Sequence, residues 1–265
     1  MNQRLGLIAG FGSLPFVLAK EGKEIDLYVV GFKGITSKKL GKFVKEIKFF
    51  DVGSLEKIVG YFRDNNVSKI LLLGYVPHQI LVGKYNLDSS AISLFSRIKY
   101  NTAMEIFCSL EKELSNYDIK IESLDKYLPD IFAEEGLLSG EEITKEEMEN
   151  IKFGYEIAKE IARLDIGLTV VVKNKVVVAV EGLEGTDNCI LRGEKLAGEG
   201  CIVVKVARPN QDMRFDLPVI GPKTVKVLRK SKVKVLAIEK EKTLIIDKQK
   251  VIKDLNKSGI KLYAI

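Results

Sequence analysis

Short apolar runs alternate with stretches of helical period through the first half of the chain. Residues 4–9 form one such run, followed by a glycine turn and a helix-compatible stretch at 15–20. Residues 25–30 and 47–50 read as two more buried strands. Ser54 opens a helix to Asn65 that places Leu55, Ile58, Val59 and Phe62 on one face. Residues 69–73 form a strand ended by Gly74. Ala103, Ile106, Phe107, Leu110 and Leu114 then recur at helical spacing, and residues 117–122 alternate as a strand. Strands separated by helices predict a mostly parallel sheet with right-handed crossovers.

Periodicity weakens between residues 128 and 140, where Pro129, Gly136 and Gly140 stand, and the linker is expected there. This divides the chain into an N-terminal domain at 1–130 and a C-terminal domain at 131–265. Thr144 and Glu147 form a capping box that starts a long amphipathic helix to Leu164. Residues 168–172 and 176–180 are β-branched runs joined at Lys173, Asn174 and Lys175, the pattern of a hairpin. Residues 201–206, 233–238, 243–246 and 260–264 read as strands, and 222–230 and 248–258 as helices. The expected class is α/β, with a mostly parallel sheet in the first domain and a mixed α/β arrangement in the second.

Charge narrows the function classes. The chain has 42 Lys and Arg against 36 Asp and Glu, a net charge of +6 over 265 residues. Each half carries +3, so there is no basic arm of the kind that binds nucleic acid. Anionic small molecules and an anionic membrane surface stay open as partners. The three cysteines, at 108, 189 and 201, form no C-x-x-C pair, which points to a reduced cytoplasmic protein without a thiolate zinc site. The apolar N-terminal stretch is broken by Gly10, Gly12, Ser13 and Pro15, unlike a signal peptide. No run reaches the roughly 18 apolar residues of a spanning helix.

Three segments carry candidate chemistry. The turn at Gly10, Gly12 and Ser13 joins the first strand to the first helix, where two glycines and free N–H groups suit a phosphate. A dinucleotide fingerprint would have a third glycine in place of Pro15 and an acid at the end of the second strand; both are missing. A tight turn without ligand explains the same residues. The second segment, 180–187, leaves a strand and enters an expected glycine-rich loop bearing Thr186 and Asp187, which suits a hard cation or a phosphate as well as a solvated turn. The third, 208–218, lies between prolines. If extended, it points Asp212, Arg214 and Asp216 to one face, where two carboxylates and a guanidinium suit a divalent metal with a phosphate. An ion-pair ladder is the alternative. His78, the only histidine, follows the strand ended by Gly74, and one histidine excludes a multi-histidine metal site.

Taken together, residues 5–15, Arg163-Leu-Asp-Ile-Gly167, the 179–187 segment with Arg192, and Gln211 to Gly221 resemble the UDP-2,3-diacylglucosamine pyrophosphatase family of the LpxI type. The resemblance covers essentially the whole chain and implies a Rossmann-like N-terminal domain with an α/β domain after it. It implies a Mg²⁺-dependent hydrolase of lipid A biosynthesis that yields UMP and 2,3-diacylglucosamine 1-phosphate, with water attacking the sugar-side phosphorus. The family's essential aspartate maps onto Asp216, and the neighbouring acidic position onto Asp212. On this basis Asp216, Asp212 and Asp187 are expected to hold metal and activate water, with Arg214 and Arg192 clamping phosphates. Gly10, Gly12, Ser13, Thr186 and Gln211 are expected to meet the substrate. The expected location is the cytoplasmic face of the membrane, peripherally, with a homodimer plausible for the family. The competing readings are an NAD(P)-dependent oxidoreductase and a non-catalytic sugar-nucleotide or lipid-binding protein.

Overall fold

The computed structural model describes residues 3–22, 24–76, 87–99 and 103–265; His78 lies outside them. The chain divides into two compact units. One is Met1–Pro129 with Met213–Asp216, and the other is Asp130–Asp212 with Leu217–Ile265.

The first unit runs β1 (Gln3–Ala9), α1 (Leu14–Glu21), β2 (Ile25–Phe32), β3 (Glu46–Phe50), α2 (Leu55–Asp64), β4 (Lys69–Leu73), α3 (Ser89–Ser96), α4 (Ala103–Ser115) and β5 (Lys120–Ile121). Its five strands are parallel in the order β3-β2-β1-β4-β5. The predicted parallel sheet is therefore present. β1 is central and its Leu5, Leu7 and Ala9 are fully buried, as an interior parallel strand requires. α2 buries Leu55, Ile58, Val59 and Phe62, the face its period predicts, and Tyr61 beside them. α3 has no strong hydrophobic period and is set by its cap instead. Asp88 accepts from the Ala91 N–H at 2.9 Å and from the Glu56 N–H at 2.8 Å, which ties the start of α3 to that of α2.

The second unit runs β6 (Gly136–Ser139), α5 (Lys145–Arg163), β7 (Thr169–Lys173), β8 (Val176–Val180), α6 (Gly185–Ala197), β9 (Ile202–Lys205), β10 (Val219–Ile220), α7 (Pro222–Lys230), β11 (Val235–Ile238), β12 (Leu244–Ile245), α8 (Lys248–Lys257) and β13 (Lys261–Ala264). Six strands form a mixed sheet in the order β6-β13-β11-β9-β7-β8, and β10 pairs with β12 separately. Strand alternation serves two cores. Val171, Val203 and Leu236 pack with residues of α6, α7 and α8 on one face. Val170, Val172, Val204 and Val235 pack with α5 on the other. The Thr144 capping box forms as predicted, with the Glu147 N–H on Thr144 Oγ1 at 3.2 Å and the Thr144 N–H on Glu147 Oε2 at 2.8 Å.

Three local expectations change. The weak stretch at 128–140 ends in a real strand, β6, which pairs antiparallel with β13. The supposed glycine-rich loop at 180–187 turns into helix α6 at Gly185, so Thr186 and Asp187 sit in a first helical turn. Helix propensity is poor there, but Gly193 lets α6 approach the sheet, since a Cβ at this position would lie 2.7 Å from Val171 Cγ1. The 208–218 segment is not extended. It turns at Pro209-Asn210 and at Met213-Arg214, and Asp216 has φ +50, so strand alternation does not put Asp212, Arg214 and Asp216 on one face.

Candidate active site

In the first unit, the strand order reverses about β1 and β4, and the carboxyl ends of these strands are where an open α/β sheet binds ligands. The Gly10 N–H donates to the Leu73 carbonyl, and Phe11 and Tyr75 exchange backbone hydrogen bonds, all at 2.8 Å. A Cβ on Gly10 would lie 2.6 Å from the Tyr75 carbonyl oxygen. This glycine thus accommodates the passing backbone, not the close ligand approach of a dinucleotide fold. Gly12 differs: its φ is +119 and the space beside its Cα is open. Ser13 caps α1 without a side-chain bond to the helix. Gly12 and Ser13 therefore present an exposed turn at a helix start. Phe11 and Tyr75, 66% and 54% exposed, stand beside it.

The same unit holds the Arg-Phe-Asp segment. Phe215 is buried and stacks on Phe107 of α4, with centroids 4.4 Å apart and planes inclined 19°. Arg214 grips Glu111, one turn further along α4, with both fork nitrogens: Nη1 meets Oε1, and Nη2 meets Oε2 at 3.1 Å. The guanidinium also lies 5.6 Å from the Phe215 ring centroid. Two side chains thus pin the segment, and the next residue, Asp216, is exposed in the left-handed region. Asp tolerates that region better than most side chains.

In the second unit, a polar cluster forms at the end of β9. Lys205 is 5% exposed. Its ammonium donates to Thr186 Oγ1 at 2.9 Å and reaches Thr169 Oγ1 at 3.5 Å. The Thr186 hydroxyl in turn donates to Glu181 Oε1 at 2.9 Å. Among the described residues no carboxylate pairs directly with Lys205, so a buried cation is held by hydroxyls alone, with Glu181 one link away. Sequence reasoning did not single out Lys205. The available signal was one charge inside the apolar run Cys201–Val206.

The other expected site residues of this unit have identified partners. Asp187 pairs with Lys223 at 2.9 Å. Arg192 donates to the Val180 carbonyl at 2.7 Å and to Glu184 at 2.5 Å. That bond holds the Glu184 carboxyl below its usual range. Gln211 bonds the Arg208 N–H and the Asp212 carbonyl. The chain leading to them is braced by buried Glu239, which accepts from the Ala207 N–H and from Lys159, both at 2.9 Å. Burial pushes the Cys189 thiol up to about 12, which removes it as a nucleophile.

The expected site residues thus divide between the units. Gly10, Gly12, Ser13, Arg214 and Asp216 belong to the first, and Thr186, Asp187, Arg192, Gln211 and Asp212 to the second. Among the described residues no three His, Cys, Asp or Glu side chains gather in a group able to hold a metal ion.

Comparison with known proteins covers nearly the whole chain. The family model of the LpxI N-terminal domain matches residues 4–131, and that of the LpxI C-terminal domain matches residues 134–263. A relative from Caulobacter vibrioides, UDP-2,3-diacylglucosamine pyrophosphatase LpxI, is 26% identical over 236 residues, covering 84% of this chain and 83% of that protein. The chain belongs to the LpxI family.

Proposed function

We propose that this LpxI-family pyrophosphatase hydrolyses the diphosphate of UDP-2,3-diacylglucosamine to UMP and 2,3-diacylglucosamine 1-phosphate. The observation that carries the reading is the display of Asp216, an exposed carboxylate beyond an anchored Arg-Phe pair, within a chain that matches both LpxI domains. Asp216 orients a water and takes its proton as that water attacks the sugar-side phosphorus. The bond to the bridging oxygen breaks, and UMP leaves with that oxygen. Such a reaction is governed by charge, so preorganised cations contribute most of the stabilisation. Lys205 is the residue suited to this, because a cation already removed from water interacts strongly with a phosphoryl oxygen. Gly12 and Ser13 supply backbone N–H groups to the nucleotide phosphate. Arg214 acts by holding Asp216 in place through Glu111. Arg192, gripped by Glu184, clamps phosphate only if that pair opens.

When bound, Mg²⁺ would polarise a phosphoryl oxygen, and Asp216, Asp212 and Asp187 are the carboxylates that would hold it together with the substrate phosphates. The magnesium expectation is tested directly: turnover that EDTA leaves unchanged removes it, and loss restored by Mg²⁺ upholds it. The reaction itself is tested with UDP-2,3-diacylglucosamine in ¹⁸O-labelled water. The expected outcome is UMP release with the label in the lipid phosphate. Label in UMP would reverse the site of attack, and no UMP would end the hydrolase reading.

No helix among the described residues is long and apolar enough to cross a membrane. A diacylated substrate places the enzyme at the cytoplasmic membrane surface as a peripheral protein, and pelleting with membranes checks this.

A further inference from the structure

The even +3 of each half conceals a strong polarity inside the second. Residues 222–261 hold thirteen Lys and Arg against four Asp and Glu, whereas residues 131–221 hold eleven against seventeen. The basic part folds into α7, β11, β12, α8 and β13, and its cations gather on two neighbouring helices. α7 buries Val225 and Leu228, and α8 buries Val251 and Leu255, in the core beneath them. The opposite faces carry exposed Lys226, Arg229 and Lys230 on α7 and exposed Lys250, Lys253 and Lys257 on α8. Among the described residues none of these six has an ion-pair partner. The acid on these two helices is Asp254, which is half-buried. Arg229 and Lys257 also line an open groove of about 600 Å³ with Lys232 and Lys234, facing one acid, Glu199. Glu241 and Asp247 are the exposed acids of the connecting segments.

Six unpaired cations on one helical layer repel one another and weaken the fold slightly, so the layer gains from an anionic surface. We propose that the outer face of α7 and α8 docks on an anionic phospholipid bilayer. Neither helix carries an aromatic residue, so there is no stacking platform for nucleic-acid bases. All their apolar side chains except the partly buried Ile252 are committed to the core, so there is no apolar face to insert into the acyl region. The attachment is therefore electrostatic, reversible and salt-sensitive. It would bring the enzyme to a diacylated substrate, a point that rests on the hydrolase reading, but the surface itself does not.

The test is co-sedimentation of the full-length protein with phosphatidylcholine vesicles, with and without phosphatidylglycerol, in the absence of substrate. The protein should pellet only with the anionic vesicles. About 1 M salt, where the screening length falls to about 3 Å, should release it. Each cation at such a surface is worth about fivefold in binding, so Lys226→Gln/Lys250→Gln/Lys253→Gln should weaken pelleting about a hundredfold. Hydrolysis of substrate in neutral detergent micelles should match the wild type. Arg229→Gln/Lys230→Gln/Lys257→Gln is a second variant at separate positions and should behave the same, so misfolding of one does not decide the matter. No pelleting of the wild type, or undiminished pelleting of both folded variants, overturns the proposal. Tighter binding to single-stranded RNA, which vesicles fail to displace, also overturns it. Failure of hydrolysis with intact vesicle binding leaves the surface standing and removes the substrate.

Discussion

At Asp216 the backbone has φ +50 and the side chain is exposed, while Phe215 just before it is 3% exposed. A buried anchor followed by a left-handed residue turns the carboxylate outward at modest cost, because Asp and Asn visit this region more readily than other side chains. Asp216→Asn keeps that tolerance and removes the charge. Thermal melting should stay within about 0.5 kcal/mol of wild type, while turnover falls by about 10²–10⁴, the range of a lost general base. Retained turnover would take Asp216 out of the chemistry. Lys205 poses the converse question. Replacing Lys205 by an apolar side chain leaves the half-buried Thr186 and buried Thr169 hydroxyls without this donor, a loss of about 1–3 kcal/mol. Lys205→Met should therefore melt somewhat lower than wild type, bind inorganic pyrophosphate more weakly and, per folded molecule, turn over at least about tenfold more slowly. A variant that melts low and keeps its turnover per folded molecule would show a purely structural lysine.

α4 shows how an element acts beyond its own core. Its apolar period is legible in sequence, but that period says nothing of Phe107 and Glu111 as the docking face for residues about a hundred positions later. Removing the Phe107 ring forfeits an aromatic pair worth about 0.5–1.5 kcal/mol beyond its area. Phe107→Ala should lower stability by about 1–2 kcal/mol and depress kcat more than KM, because Asp216 loses its register. Phe107→Tyr should restore most of both. Unchanged kcat in the alanine variant would mean that the stack does not position Asp216. α6 was missed for a related reason. Its glycines argue against a helix locally, and only packing against Val171 explains Gly193.

On the scale of the whole molecule, two buried carboxylates of the second unit contribute to the acid response. Burial raises Glu239, but bonds from Lys242, Lys159 and the Ala207 N–H outweigh it and hold the carboxyl below its usual range. Burial likewise raises Glu147, and Lys261, the Thr144 N–H and Lys234 outweigh it. A carboxyl depressed in the folded state contributes stability that is present above the ordinary value of 4.5 and is lost as pH falls through the folded value. Urea midpoints should therefore be flat near neutrality and drop steeply below about pH 4.5. Glu239→Gln should lower the midpoint at neutral pH and make the acid drop shallower. An equally steep drop in that variant would assign acid lability elsewhere.

The sequence by itself determined the α/β class, most helices and strands, the capping box at Thr144 and the motifs that resemble the LpxI family. Each is written in a local period or a contiguous string, since burial repeats every 2 residues in a strand and every 3.6 in a helix. Even the basic face of α7 and α8 was there to read, hidden only by averaging over half a chain. Tertiary structure alone decided that Met213–Asp216 joins the first unit and that Arg214 grips Glu111. It also decided that the buried Lys205 ammonium donates to Thr186. These depend on which distant elements pack together, and short-range periodicity carries no record of that choice.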